Sequence, residues 1–274
     1  MILGYSVYEL LWLFFIYAFL GWCIEVGFCG LEIGKFVNRG FLNGPLCPIY
    51  GVGAVIVILC LTPISHNAVL LFFCAAVLTS VLELVTGFVL DKMFHARWWD
   101  YSDKPFNIGG YICLKFSVYW GLVCIALMRG IHPVIYDVIK LVPFVLGIIL
   151  LVFFSAVFVC DVVITVITIK KLSHRLGIMD ELAQKIHNIS DEIGSHVYEG
   201  VSAAAKKGEE FFNSEQLEEL REKHRKELEE LKEKYSSVTK ENHFFQKRII
   251  KAFPNMRSHR HSEQLDKLKA KFKK

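Results

Sequence analysis

Long apolar runs dominate the first 170 residues of the 274-residue chain. Five of them approach the roughly 20 residues that an α-helix needs to cross a bilayer core of about 30 Å. The first runs from Tyr5 to Cys29, the second from Asn43 to Ile64, the third from Ala68 to Leu90 and the fourth from Ile108 to Met128. The fifth lies between Ile139 and Ile169. The apolar run there begins at Ile131 and exceeds one span. Pro143 permits either a kink or a short interfacial piece ahead of the span. Pro45 and Pro48 interrupt the second run near its start.

After residue 170 the pattern changes. Leu172, Leu176, Met179, Leu182, Ile186, Ile189, Ile193 and Val197 recur at spacings of three and four, which predicts one apolar stripe on a helix. "EQLEELREKHRKELEELKEKY" continues with Leu217, Leu220, Leu228, Leu231 and Tyr235. It reads as a coiled coil, a helical hairpin or a solvated helix with i,i+4 Glu–Lys pairs, and His224 falls on the seam. The stretch 201–213, "VSAAAKKGEEFFN", reads as a break between two helices.

These patterns predict an all-α protein. A polytopic membrane bundle of about five transmembrane helices occupies 1–170, with the N-terminus outside. A cytoplasmic helical or coiled-coil tail follows over 171–239, and a basic segment, partly disordered or lying on the membrane surface, over 240–274. Composition agrees: 54% of residues are hydrophobic and the mean hydropathy is +0.41. Met1 leads into apolar sequence without a basic region or a cleavage site, so the first helix is read as retained. Basic residues set the orientation. Lys35 and Arg39 in the first loop, Lys92, Arg97 and Lys104 in the third, and Lys170, Lys171 and Arg175 after the last span are read as cytoplasmic. The net charge of +4 belongs to the tail. "FFQKRIIKAF" mixes aromatics with cations, as segments resting on an anionic leaflet do, and nucleic acid is not an expected partner. The eight cysteines lie in or beside apolar runs without a CxxC pair, and are read as small buried residues rather than metal ligands.

Ionisable residues inside a span are costly and mark function unless paired. Glu25, Glu83, Lys115 and Asp161 all fall about 7–12 Å below the cytoplasmic surface at a helical rise of about 1.5 Å per residue. Glu9 sits at the opposite end, in reach of outer water. Glu83 is the expected partner of Lys115, because the third and fourth helices share a short loop. One lysine cannot neutralise three carboxylates, which predicts a polar cavity open to the cytoplasm; the competing reading is a set of interhelix clamps without a ligand.

Three stretches border this cavity. "NRGFLNGPLCPIYG" (Asn38–Gly51, including Asn43) breaks the start of the second helix, and lipid forbids exposed backbone there. "GWCIEV" puts Trp22 and Glu25 at i,i+3 on one face. "DKMFHARWWDYSDKPFN" supplies Asp91, His95, Arg97, Asp100, Tyr101 and Asn107 at the mouth. Trp98 and Trp99 suit an interface belt, and Asp100 and Asp103 suit turn caps.

"FLNGPLCPIYG", "LELVTGFVLDKMFHARWWDYSDKPFNIGGYICL" and the following "VYWG" resemble a bacterial membrane family of ABC-transporter type IV permeases over roughly residues 5–170, leaving the tail outside. The resemblance implies a multi-pass inner-membrane protein, the membrane subunit of a transporter. The chain has no GxxxxGK[ST] phosphate loop, so transport would need a separate ATPase docked on the cytoplasmic side. A small span number and a helical tail would favour a homodimer. Membrane lipid is the other expected partner, and no cofactor is expected. Two alternatives stand beside the permease-like reading. One is a lipid-head-group enzyme using Glu83, Asp91, His95 or Asp100. The other is a non-catalytic scaffold or sensor acting through its tail.

Overall fold

Ser6 starts the first helix. Its hydroxyl accepts from Glu9 N at 3.2 Å, and the Glu9 carboxylate accepts from Ser6 N at 2.7 Å, a capping box that satisfies donors the helix start would otherwise orphan. Glu9 also accepts from the Tyr136 hydroxyl at 2.7 Å. The carboxylate expected in outer water is thus half-buried and structural. The resulting α1 (Val7–Ile33) stops at Gly34, which takes a left-handed φ of 70°. The structure, a computed structural model, describes residues 4–207, 214–241 and 243–273. The chain forms two units: Met1–Lys170 with Phe244–Arg260, and Lys171–His243 with His261–Lys274. The expected third segment, 240–274, is therefore divided between them.

In the first unit the expected second span is a shorter element. α2 (Pro48–Leu61) has 14 residues, about 21 Å of helix, followed by a 3₁₀ turn at Thr62–Ile64. It begins beside the middle of α1, where Cys47 N donates to Ala18 O at 2.9 Å. A Cβ on Gly51 would lie 2.6 Å from Phe14 O, and one on Gly21 would collide with Tyr50, so glycines allow α1 and α2 to touch. The chain between α1 and α2 thus folds back along α1 before the second helix starts. Among the described residues, four helices are long and apolar enough to cross a membrane: Val7–Leu31, Ala68–Phe94, Leu114–Leu141 and Phe144–Ser195. The first unit is a membrane-embedded helix bundle, with four such helices instead of the five expected.

α3 (Ala68–Phe94) is capped by the Asn67 side chain, which accepts from Val69 N and Leu70 N. Its outer stripe, Phe73, Val77, Val81, Val85 and Phe88, is exposed, as a lipid-facing surface requires. Leu13, Ile58 and Leu71 are fully buried where α1, α2 and α3 meet. α4 (Leu114–Ala126) starts later than expected, because Asn107–Cys113 form a small hairpin of β2 (Asn107–Ile108) and β3 (Ile112–Cys113). Gly121 packs on Phe72, and Ser80 Oγ donates to Ser117 Oγ at 2.6 Å, joining α3 to α4. A wide π turn, Leu127–Ile131, leads into α5 (His132–Leu141). Pro133 lacks the N–H that Arg129 O would take in a regular helix, which accounts for the local irregularity. Pro143 separates α5 from α6 (Phe144–Lys207), so the long apolar run is two helices.

At the end of the bundle where α1 and α3 finish and α4 begins, here the loop-rich end, residues from far along the chain join the first unit. β1 (Ala96–Arg97) pairs antiparallel with β4 (Arg257–Ser258). Between the second unit and β4 lies α8 (Phe244–Ala252), which buries Ile249, Ile250 and Ala252. The basic segment expected to lie partly disordered on a membrane surface contributes this helix and this strand.

The second unit is helical. The distal part of α6, α7 (Ser214–Lys240) and α9 (Ser262–Lys273) compose it. Leu172, Leu176 and Met179 of the expected stripe are buried, together with Leu265 and Leu268. Arg175 donates to Val238 O at 2.7 Å and Glu241 O at 2.8 Å, capping the C-terminal carbonyls of α7. His224, placed on the seam by sequence, approaches Glu192 at 4.0 Å. These pairings run in opposite directions along α6 and α7, so the two helices form an antiparallel hairpin. The expected break at 201–213 is helical up to Lys207, and its remainder lies outside the described residues.

Candidate polar site at the loop-rich end

The folded-back chain between α1 and α2 carries backbone groups that no helix or sheet satisfies, and side chains satisfy them instead. Asn38 Oδ1 accepts from Trp22 Nε1 at 2.8 Å and from Gly40 N at 3.0 Å, while its amide donates to Asn43 O at 2.8 Å. Asp161, from α6, accepts from Asn43 N at 3.0 Å, Asn43 Nδ2 at 2.9 Å and Gly44 N at 2.7 Å. Gly44 is needed here, since a Cβ would press on Asp161 Oδ2 at 3.0 Å. From the other side, Arg248 of α8 donates to Gly40 O at 2.9 Å and Phe41 O at 3.0 Å. Burial lowers the Arg248 pKa from its ordinary value, and the Asp161 carboxylate opposes that shift. Asn43 and Asp161, both expected at a ligand cavity, thus hold each other and the loop.

A second group brings together two glutamates and two tyrosines. Tyr50 donates to Glu25 Oε1 at 2.5 Å. Arg39 Nε is 4.0 Å from Glu25 Oε2, a partly exposed and weak pair. Tyr101 donates to Glu83 Oε1 at 3.2 Å. Glu83 Oε2 is buried and has no hydrogen-bond partner among the described residues. The Tyr101 phenol is raised well above its usual pKa, first by burial, then by the Glu83 carboxylate, with a contribution from Glu25. Both carboxylates therefore act on one hydroxyl. Aromatic rings frame the group: Tyr50 meets Trp120 edge-on at 5.5 Å, and Tyr101 stacks on Phe116 at 4.7 Å.

Lys115 does not join this group. Its side chain is exposed and lies 5.7 Å from the centre of the Tyr119 ring, with no carboxylate in ion-pair range among the described residues. The register of α4 explains the miss. Leu114, Lys115, Val118, Tyr119 and Leu122 form its exposed stripe, whereas Ser117, Gly121 and Cys124 face the bundle. The expected Glu83–Lys115 pair is absent.

The loop between α3 and α4 forms a third group. Asp91 accepts from the Tyr111 hydroxyl at 2.5 Å, lies 2.6 Å from His259 Nε2, and is 3.7 Å from Arg97 Nε. Asp100 accepts from Ser102 N at 3.0 Å and Ser102 Oγ at 2.5 Å, the turn-capping role expected. Arg97 is 3.7 Å and Arg257 3.2 Å from it. The Ser102 hydrogen bonds, more than either arginine, hold the Asp100 carboxyl below its ordinary pKa, against a smaller effect of burial. Asn107 donates to Lys104 O at 2.7 Å and accepts from Gly110 N at 3.2 Å, so it is a turn residue. Gly110, at φ +74°, sits where a Cβ would meet Ser102 Oγ and Asp100 Oδ1 within 2.7 Å. His95 caps α3 in a left-handed conformation. Trp98 is buried against Phe41, Phe94 and Phe253, not spread along an interface belt.

Residues 12–166 of the chain match the family model described as "Putative ABC-transporter type IV". The chain belongs to this family. No curated protein and no solved structure matches it. The family match covers both glutamates, Asp161 and the loop around Asp91 and Asp100, whereas Arg248, Arg257 and His259 lie beyond it. Those three residues, with Tyr50, Ser102 and Tyr111, are among the participants that sequence reasoning does not single out. The strongly basic stretch containing "FFQKRIIKAF" was the only signal for the distant ones. Among the described residues, no group of three or more His, Cys, Asp and Glu side chains has the arrangement of a metal site.

Proposed function

We propose that the chain is the membrane subunit of a permease-like transporter, and that Glu25 and Glu83 with their tyrosines form the polar site that meets a small polar or lipid-derived ligand. The observation carrying this reading is the buried Glu83 Oε2, left without a hydrogen-bond partner among the described residues although Tyr101 engages the other oxygen. A buried carboxylate oxygen is costly to leave bare, so this one is held ready for a proton, water or a ligand donor. Basic residues around the loop-rich end support a cytoplasmic position for it, with the ligand entering or leaving from that side. The sequence carries no phosphate loop, so a separate ATPase drives movement. The enzyme reading is weaker, because Asp91 and Asp100 are already engaged by neighbours and His95 serves as a helix cap.

The test is transport and ligand retention by protein reconstituted in lipid. Glu83→Gln is expected to lose the ligand while keeping the fold. A Glu83→Gln protein that binds and moves solutes as the parent does would remove this site from consideration. Affinity capture that recovers an ATPase would support the partner, and capture that recovers none at any detergent condition would oppose it.

A further inference from the structure

The family-matched core ends at residue 166, yet its loop-rich end is covered by a segment that begins at Phe244. Four independent contacts hold that segment. Arg248 bonds the carbonyls of Gly40 and Phe41. Phe253 meets Trp98 edge-on at 4.9 Å. β4 pairs with β1. His259 lies against Asp91, with its backbone N–H on His95 O at 3.1 Å. The covered surface thus offers carbonyls at one end, aromatic rings in the middle, and a strand edge beside a carboxylate at the other. Strand addition of this kind gives affinity through the backbone and specificity through side-chain pockets.

The covered surface adjoins the polar site. Arg248 bonds the carbonyl of Gly40, and the preceding residue, Arg39, lies 4.0 Å from Glu25. Cys47, 5% exposed, starts the helix that carries Tyr50, the hydrogen-bond partner of Glu25. Arg248 brings a cation to this end of the bundle from a position remote in sequence. Ile249, Ile250 and Ala252 of α8 are buried, whereas the contacts after Phe253 are of a kind that opens easily. The β1–β4 ladder is two residues long, and the Arg257 and His259 side chains remain 67% and 49% exposed. Short ladders and exposed ion pairs belong to the least stable parts of a fold.

We propose that Phe244–Arg260 is a tethered cover for this surface, and that its docking and release control water and ligand access to the site holding Glu25 and Glu83. The idea deepens the permease-like reading and rests on it. The chain enters the cover from the second unit and returns to it, so the tail unit has a covalent handle on the cover.

The experiment uses full-length protein in lipid nanodiscs and a water-soluble maleimide, with labelling of each native cysteine followed by peptide mass spectrometry. In the parent protein Cys47 is expected to react slowly. Arg248→Met and Phe253→Ala, which remove different contacts, are each expected to accelerate Cys47 at least tenfold while leaving Cys124, in the bundle core, unchanged. A Cys47 rate within twofold of the parent in both variants would overturn the cover. So would Cys124 accelerating in step with Cys47, because the segment would then be a structural member of the bundle. Labelling reads the cover without any ligand, so its outcome is separate from the Glu83→Gln binding test.

Discussion

Asp161 and Glu83 are both carboxylates inside membrane helices, and their surroundings differ. Asp161 accepts three hydrogen bonds from Asn43 and Gly44 and feels the charge of Arg248. Glu83 has one tyrosine on one oxygen and, among the described residues, no hydrogen-bond partner on the other. The first carboxylate substitutes for the helix that the folded-back chain cannot form. The second is not needed for any backbone group. Carboxylates inside the helices therefore stand in two settings in this molecule, separated by their partners.

The largest effect expected from breaking this contrast falls on Asp161. Asp161→Ala strands the backbone donors of Asn43 and Gly44 and the nearby Arg248, and is expected to cost about 3–5 kcal/mol of stability. Thermal unfolding in detergent measures it, and a loss below about 1 kcal/mol would show that the loop is held by something else. Glu83→Gln should do the opposite. Stability should stay within about 1 kcal/mol of the parent, since no hydrogen-bond donor is stranded but the tyrosine, and Gln can accept from it. Ligand affinity should fall at least about tenfold, the effect of losing roughly 1.4 kcal/mol of binding.

Smaller effects sharpen the same contrast. Arg257→Ala removes an exposed partner of Asp100 and should cost less than about 1 kcal/mol. Acid should have a related effect on the loop between α3 and α4. The folded-state pKa of Asp100 is depressed, so its ionised form contributes stability above the ordinary carboxylate range. That contribution is lost as pH falls through the depressed value, and it is flat from neutral pH upward. Hydrogen exchange of Ser102 N across an acid titration reads this directly. Lys115→Met should change stability by about 0.5 kcal/mol or less, because the side chain faces outward. A large loss there would restore the pairing that the register of α4 excludes.

The contrast also marks what the sequence reveals. Apolar runs located the helices of the bundle, because a lipid-facing helix must be apolar along its length. Pro45 and Pro48 flagged the irregular entry to α2, although not that the helix would be only 14 residues long. Position along each helix is readable from the sequence, which brings Glu25, Glu83 and Asp161 into view. Rotation about each helix is not, and Lys115 is therefore assigned to the wrong face. The contribution of Arg248, Arg257 and His259 was unreadable for another reason. No periodicity links a two-residue strand at Ala96–Arg97 to its partner at Arg257–Ser258, 160 positions later.

The most direct test of the open carboxylate is an experimental density map of the protein in lipid nanodiscs around Glu83. The account predicts ordered water or ligand density within hydrogen-bonding distance of Glu83 Oε2, on the side away from Tyr101. Apolar side chains packed against that oxygen, or Lys115 swung in to pair with it, would contradict it.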